Sequence, residues 1–258
     1  DNNPLSYSVV AQPTHGTLSG TAPNVSYTPA ANYSGADSFT FKANDGLADS
    51  NVATVTIVVN AVNDTPVANN QTVTTAEDTS VNITLTASDV DGDALTYEVV
   101  TPPQHGTLQG GGSALTYTPS PNFFGTDTFT FKANDGQVDS NLATVTIQVS
   151  AVNDAPVASN QTVAAVSGQP VNITLGASDA EGSALTYTVV AEPQHGTLTG
   201  SGANLVYTPA ANFTGTDQLT FRASDGQATS NVATVTFQVT AGPGGTGSKN
   251  VYLPLVKP

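Results

Sequence analysis

One stretch recurs three times along the chain at a fixed spacing. It reads FTFKANDGLADSNVATVTI at residues 39–57, FTFKANDGQVDSNLATVTI at 129–147 and LTFRASDGQATSNVATVTF at 219–237. Successive copies are offset by 90 residues, and so are His15, His105 and His195, or Asp45, Asp135 and Asp225. A fixed period without insertions marks a tandem array of one structural unit. A period of 90 in 258 residues gives three units, each near the size of an immunoglobulin-like sandwich.

Within the stretch, Phe129, Phe131 and Ala133 alternate with Thr128, Thr130 and Lys132. After the turn residues Asn134, Asp135 and Gly136, the residues Ala143, Val145, Ile147 and Val149 alternate with Thr144, Thr146 and Gln148. Period-two alternation puts one set of side chains in a core and the other in water, so this is an antiparallel strand pair with one wet face. Five further short runs precede it in the middle repeat: 71–75, the alternation of Val81, Ile83, Leu85 and Ala87, that of Leu95, Tyr97 and Val99, 106–108, and the pair Leu115 and Tyr117. Seven strands between turn signals predict a β-sandwich, and nothing shows a sustained helical period. The expected class is all-β.

The expected domains are an incomplete repeat over 1–61, complete repeats over 62–151 and 152–241, and a tail over 242–258. Asp1 aligns with Asp91, so the counterparts of 65–88, two strands, are missing from the first repeat. An open sandwich exposes unpaired strand edges and apolar core. At the other end a Gly-rich spacer, 242–248, leads to KNVYLPLVKP. There Val251, Leu253 and Leu255 alternate with Tyr252, Pro254 and Val256 like an orphan strand, with the proline suited to an edge or bulge. Carrying the 90-residue offset forward places this run in the slot of a next repeat's first strand. Residues 242–250 reach at most ~30 Å, too short to return past stacked sandwiches. The expected partner is therefore another copy, joined head to tail through a heterologous contact that need not close. One tail supplies one strand where two are missing.

Composition narrows the function classes. The net charge is −15 with only 5 basic residues, which excludes a nucleic-acid footprint and attraction to an anionic membrane. No apolar run is long enough for a membrane-spanning helix. There is no cysteine and no methionine, and the first residue is Asp, so a processed product or excised fragment is expected. Each His stands alone in an HGTL turn without the convergent partners of a catalytic or zinc site. No nucleophile motif or phosphate-cradling loop accompanies them, and no enzymatic activity is expected.

The acids cluster. Asp89, Asp91 and Asp93 form a DVDGD loop, with Asp135 in the loop expected at the same end of the sandwich and Asn63 and Asp64 in the incoming linker. The third repeat offers Asn153, Asp154, Asp179, Glu181 and Asp225, with Ser183 and Thr229 in place of the counterparts of Asp93 and Asp139. Glu77 and Asp78, in the turn at the other end of the middle repeat, are expected to reach this second junction. Several hard oxygens at a junction suit Ca²⁺; the plainer alternative is turn capping by Asp and Asn.

The linkers VNDTPVA and VNDAPVA, the DVDGDALTY loop, the HGTL turn, the YTPxxNFxGTD run and the FKANDG strand end together resemble the cadherin-like tandem repeats of large secreted bacterial adhesins, over residues 1–241. The resemblance implies an extracellular or cell-surface location, a cadherin- or Ig-like sandwich, and calcium held by Asn63, Asp64, Asp89, Asp91 and Asp135 at one junction and by Asn153, Asp154, Asp179, Glu181 and Asp225 at the other. The leading expectation is a structural filament subunit that donates residues 251–256, with cell-surface or matrix components as further partners. A stalk fragment of a larger adhesin is the alternative. A carbohydrate-binding module ranks below both, since there is no Trp and most Tyr and Phe fall on buried phases.

Overall fold

Threonine and β-branched runs with Gly, Pro, Asn and Asp between them can only make strands and turns, and the residues 4–242 that the computed structural model describes contain no helix. The chain divides into two compact units, the first holding residues up to 149 except 121–124, the second holding 121–124 and those from 150 onward. The first unit contains repeats 1 and 2, and the second contains repeat 3.

Repeat 1 has β1 (Ser6–Ala11), β2 (Gly16–Thr21), β3 (Asn24–Pro29), β4 (Gly35–Asn44) and β5 (Ala53–Val59). Repeat 2 has β6 (Val67–Ala68), β7 (Gln71–Ala76), β8 (Val81–Thr84), β9 (Ala87–Ser88), β10 (Thr96–Thr101), β11 (Gly106–Gly111), β12 (Ala114–Pro119), β13 (Gly125–Asn134) and β14 (Ala143–Ser150). Its two larger sheets run β10-β13-β14-β7 and β11-β12-β8, and β6 and β9 form a third of two strands. The alternation through Val81 and Ala87 is not one strand. It breaks after Leu85, whose amide still donates to the Ser113 carbonyl beside β12 at 2.8 Å, and β9 then leaves to pair with β6 in the incoming segment. Repeat 3 repeats the plan with β15 (Val157–Ala158), β16 (Gln161–Val166), β17 (Val171–Thr174), β18 (Ala177–Ser178), β19 (Thr186–Ala191), β20 (Gly196–Ser201), β21 (Asn204–Pro209), β22 (Gly215–Ser224) and β23 (Ala233–Thr240). Its first long strand, β16, lies parallel to β23.

The predicted inward set is the core. Tyr117, Phe129, Phe131, Val145 and Ile147 are wholly buried, and such burial is worth about 1.5–3 kcal/mol for each side chain. In repeat 1 the sheets are only β1-β4-β5 and β2-β3 among the described residues. Phe41, Val55, Ile57 and Val59 are half-buried there, where their counterparts in repeat 2 are buried. An open cleft of about 300 Å³ runs between Tyr7, Val9, Pro23, Val25, Phe39, Phe41 and Val55.

One corner explains three of the recurring motifs at once. The Tyr117 hydroxyl donates to Asp127 Oδ2 at 2.9 Å, and the amides of Gln104 and His105 donate to the same carboxylate at 3.0 and 2.9 Å. The Tyr117 ring crosses Gly106 so closely that a Cβ there would lie 2.4 Å from it, which is why glycine follows the histidine. Burial pushes the Tyr117 hydroxyl's pKa up, and the Asp127 bond pushes it further. Burial would also raise Asp127, but the amide donors and Tyr117 outweigh it and hold the carboxyl below its usual range. In repeat 1 the same corner, built on Asp37, moves Tyr27 to about 12, through burial first and the Asp37 bond second. The histidines are packing residues: the His15 ring stacks on Tyr33 at 4.2 Å and His195 on Phe213 at 4.3 Å.

Candidate metal centre

The linker into repeat 2 is tied to the loops it meets, residue by residue. Asn63 Nδ2 donates to Asp135 Oδ2 at 2.8 Å, and the Asp64 amide donates to Asp91 Oδ2 at 2.7 Å. Pro66 is fully buried. Asn141 holds Ala68 through both backbone groups, at 2.9 and 3.0 Å. The Thr144 amide donates to Asn70 Oδ1 at 2.7 Å. The segment is thus fixed to the repeat that follows it, which brings Asn63 and Asp64 to the acidic loops.

The three loop acids converge. Asp89, Asp91 and Asp93 each offer a carboxylate oxygen, all within 4.8 Å of one another. Asp89 Oδ1 accepts the Asp91 amide at 2.9 Å, as an Asx turn does. Asp89 Oδ2 is buried and has no hydrogen-bond partner. A buried carboxylate oxygen without a donor costs about 1–3 kcal/mol, and a cation would relieve it. Asp64 and Asp91 also line a cleft of about 240 Å³ with Asn32, Tyr33, Ser34 and Asn60 of repeat 1.

Asp135 plays a narrower part than its position in the sequence implied. Its Oδ1 accepts the amides of Gln137 and Val138, each at 2.7 Å, and its Oδ2 takes Asn63. The Asn63 bond, then the Val138 amide, lower its pKa, so it stays ionised while clamping the linker. Asp139 is bonded to Lys132 and to Asn134 Nδ2, each at 2.8 Å.

Repeat 3 builds its cluster the same way. Asn153 Nδ2 donates to Asp225 Oδ2 at 2.8 Å, and the Asp154 amide donates to Glu181 Oε2 at 3.0 Å. Two buried oxygens are left without a hydrogen-bond partner, Asp179 Oδ2 and Glu181 Oε1. The Ala228 amide, followed by Asn153, lowers the Asp225 pKa. Ser183 costs this cluster the third carboxylate that Asp93 supplies in repeat 2, where alone among the described residues three acidic oxygens lie within 4.8 Å of one another. Ser183 still gives its amide to Asp179 Oδ1 at 2.8 Å, as Asp93 gives its own to Asp89. Thr229 replaces an acid whose counterpart, Asp139, pairs with Lys132.

Glu77 and Asp78 lie in the first unit, in the turn between β7 and β8. Glu77 is buried, and Asp78 adopts the left-handed conformation, φ 55°, where repeat 3 has Gly168 at φ 72°. A turn requirement therefore accounts for Asp78. The donor residues Val251, Tyr252, Leu253, Pro254, Leu255 and Val256 lie outside the described residues.

The sequence reading passed over Gln137 and Gln227. Their Nε2 atoms donate to the linker oxygens Asn63 Oδ1 at 2.6 Å and Asn153 Oδ1 at 3.1 Å. The signal was present, since the same position in repeat 1 is Leu47.

The bacterial Ig domain family matches residues 1–58, 63–148 and 153–251. Integrin beta-like protein A of Dictyostelium discoideum is 31% identical over 215 residues, 73% of this chain and 11% of that protein. Integrin beta-like protein B of the same organism is 37% identical over 99 residues, 38% of this chain and 5% of that protein. The chain thus spans about a tenth or less of the length of these relatives. Among solved structures, the mouse Cadherin-23 fragment EC22-24 covers 92% of this chain and 86% of its own, with a TM-score of 0.56 and 18% identity. Protocadherin Gamma B2 cadherin domains 1-5 cover 93% and 53%, with a TM-score of 0.63 and 15% identity. At these identities the likeness is one of fold.

Proposed function

The chain belongs to the bacterial Ig domain family, and from that premise we propose that it is a structural, non-enzymatic adhesion-type protein of the cell surface or extracellular space. Its junctions bind Ca²⁺, and it assembles head to tail by lending residues 251–256 to repeat 1 of another copy. The observation that carries the assembly is the uncovered edge of β5. Val55, Ile57 and Val59 are half-buried, and Val55 lines an apolar cleft, while Val145, Ile147 and Val149 of repeat 2 are buried. An apolar face with a free edge accepts a strand by backbone hydrogen bonding and side-chain pockets together.

Calcium is supported by the three buried, unpartnered carboxylate oxygens on Asp89, Asp179 and Glu181. Asn63, Asp64, Asp89, Asp91, Asp93 and Asp135 would hold an ion in the first unit, and Asn153, Asp154, Asp179, Glu181 and Asp225 in the second. The bound ion would neutralise converging acids and stiffen the linkers. Cell-surface or matrix components are the further partners this reading admits.

Electron microscopy and sedimentation of the 258-residue chain, beside a version ending at Ala241, test the assembly. Filaments from the first and monomers from the second are expected; monomers from both would remove strand donation. A melt with and without excess chelator tests the ion. At a hundredfold excess of calcium over Kd each site adds about 2.7 kcal/mol, so chelation lowers the melting temperature, and an unchanged melt counts against binding.

A second reading has its own support. Integrin beta-like protein A is about nine times as long as the stretch it shares with this chain, so the repeats would serve as a calcium-stiffened spacer within a larger adhesin. Monomers in both sedimentation arms would favour it.

A further inference from the structure

We propose that the donated strand lies parallel to β5 in the register that β16 takes on β23, anchored by Asn250 on the backbone amide of Thr54. This rests on the strand-donation reading and adds to it which residue meets which.

The repeat supplies the register. In repeat 3, Gln161 pairs with Val235, Val163 with Phe237 and Ala165 with Val239, all in parallel. Moving β16 forward by one period and β23 back by two gives Val251 on Val55, Leu253 on Ile57 and Leu255 on Val59. The face is preserved, because Val163 and Ala165 turn toward the core and Thr162 and Ala164 toward water.

The anchor is kept where little else in the tail is. The Thr144 amide donates to Asn70 Oδ1, and the Thr234 amide to Asn160 Oδ1, each at 2.7 Å. These bonds fix where the incoming strand starts. One period on from Asn160 stands Asn250, and two periods back from Thr234 stands Thr54. The donor and the acceptor of the bond are both retained, one in the tail and one in repeat 1.

Two other pairs change together. Ala164 faces Gln238 on the wet side of repeat 3; the corresponding pair here is Pro254 and Val58, and Val58 is 72% exposed. Gln227 clamps the linker residue Asn153. The corresponding pair is Leu47, 88% exposed, and Pro243. At the linker a polar pair becomes apolar on both members, and on the strand Gln238 gives way to Val58 opposite a residue that is apolar in both cases. Val58 and Leu47 are costly to leave in water, and the register brings each to an apolar residue of the tail.

The register also bears on the second missing strand. The inward residues of β16 are Gln161, Val163 and Ala165, whereas the tail presents Val251, Leu253 and Leu255. Each is larger or more apolar than the residue it replaces. Of the β5 residues so paired, Val55 lines the 300 Å³ cleft, and Val251 opposite it puts an apolar side chain where repeat 3 has Gln161.

The chain has no cysteine, so paired cysteines report the register directly. Tyr252 falls opposite Thr56, as Thr162 falls opposite Thr236. In the full chain, T56C with Y252C should give a ladder of covalent oligomers under mild oxidation. T54C with Y252C, a slip of two residues on the same wet face, should not. Asn250→Ala should raise the concentration needed for assembly about tenfold, the worth of one hydrogen bond, and Asn250→Asp, which keeps the acceptor, should restore most of it. Equal ladders from both pairs, or none from filaments that still need the tail, would overturn the register and leave strand donation standing. Absence of tail-dependent assembly in the unsubstituted chain would overturn both.

Discussion

Phe41 and Phe131 occupy the same place in the same FTFKANDG sequence, yet one is half-buried and the other wholly buried. The strands that carry them are alike, and each pairs with its neighbours in the same register. What differs is the cover. Repeat 2 has β7 and β8 over the ends of its core, and repeat 1 has neither among its described residues. Local sequence therefore sets strand and register, while burial, and with it the energy of the core, comes from segments distant in the chain. The comparison extends to the loops: Gln137 holds a linker, and Leu47 in its place projects into water.

The largest effect that would sharpen this contrast is in the core. Phe131→Ala should cost about 3–5 kcal/mol in urea unfolding followed by circular dichroism. Phe41→Ala should cost well under that in a chain lacking the tail and approach it in the assembled protein. Equal losses in both backgrounds would break the comparison.

Next in size is the buried carboxylate. Asp127→Asn should cost about 2–3 kcal/mol, because amides then meet an NH₂ group where they had a charged acceptor. The sign of its pH dependence follows from the lowered pKa. The unfolded carboxyl titrates near 3.9, so between that value and the lower folded one the unfolded chain binds more protons. The contribution is complete above about pH 5 and is lost as the pH falls through the folded value. Acid titrations of stability should show a shallower slope in Asp127→Asn than in the parent; matching slopes would remove Asp127 from the account.

The smallest effect concerns the linker clamp. Gln137→Ala should cost about 1 kcal/mol and speed amide exchange at Asp64, whereas Leu47→Ala in the tail-less chain should be close to neutral. A loss at Leu47 as large as that at Gln137 would mean that the two positions do the same thing.

Most of the fold could be read from the sequence, since period-two alternation and a fixed repeat determine strands and their faces without tertiary detail. The split of the Val81–Ala87 run escaped, because alternation reports which face a residue takes and not which sheet. The acidic loops were legible as a cluster, but the roles within them were not. Asp135 and Asp139 read alike in sequence; one clamps Asn63, and the other pairs with Lys132. Asp127 passed as part of a turn motif because its buried partners, Tyr117 and the amides of Gln104 and His105, lie 10 to 23 residues away.

The central claim is that repeat 1 is a sandwich completed by the tail of another copy. Amide hydrogen exchange along β5, compared between the full chain under assembling conditions and the chain ending at Ala241, tests it most directly. The account predicts that the amides of Thr54, Thr56 and Val58, which point to the open edge as that of Thr234 points to Asn160, exchange slowly in the full chain, as their counterparts in β14 do, and markedly faster in the shortened one. The same fast exchange in both would contradict it.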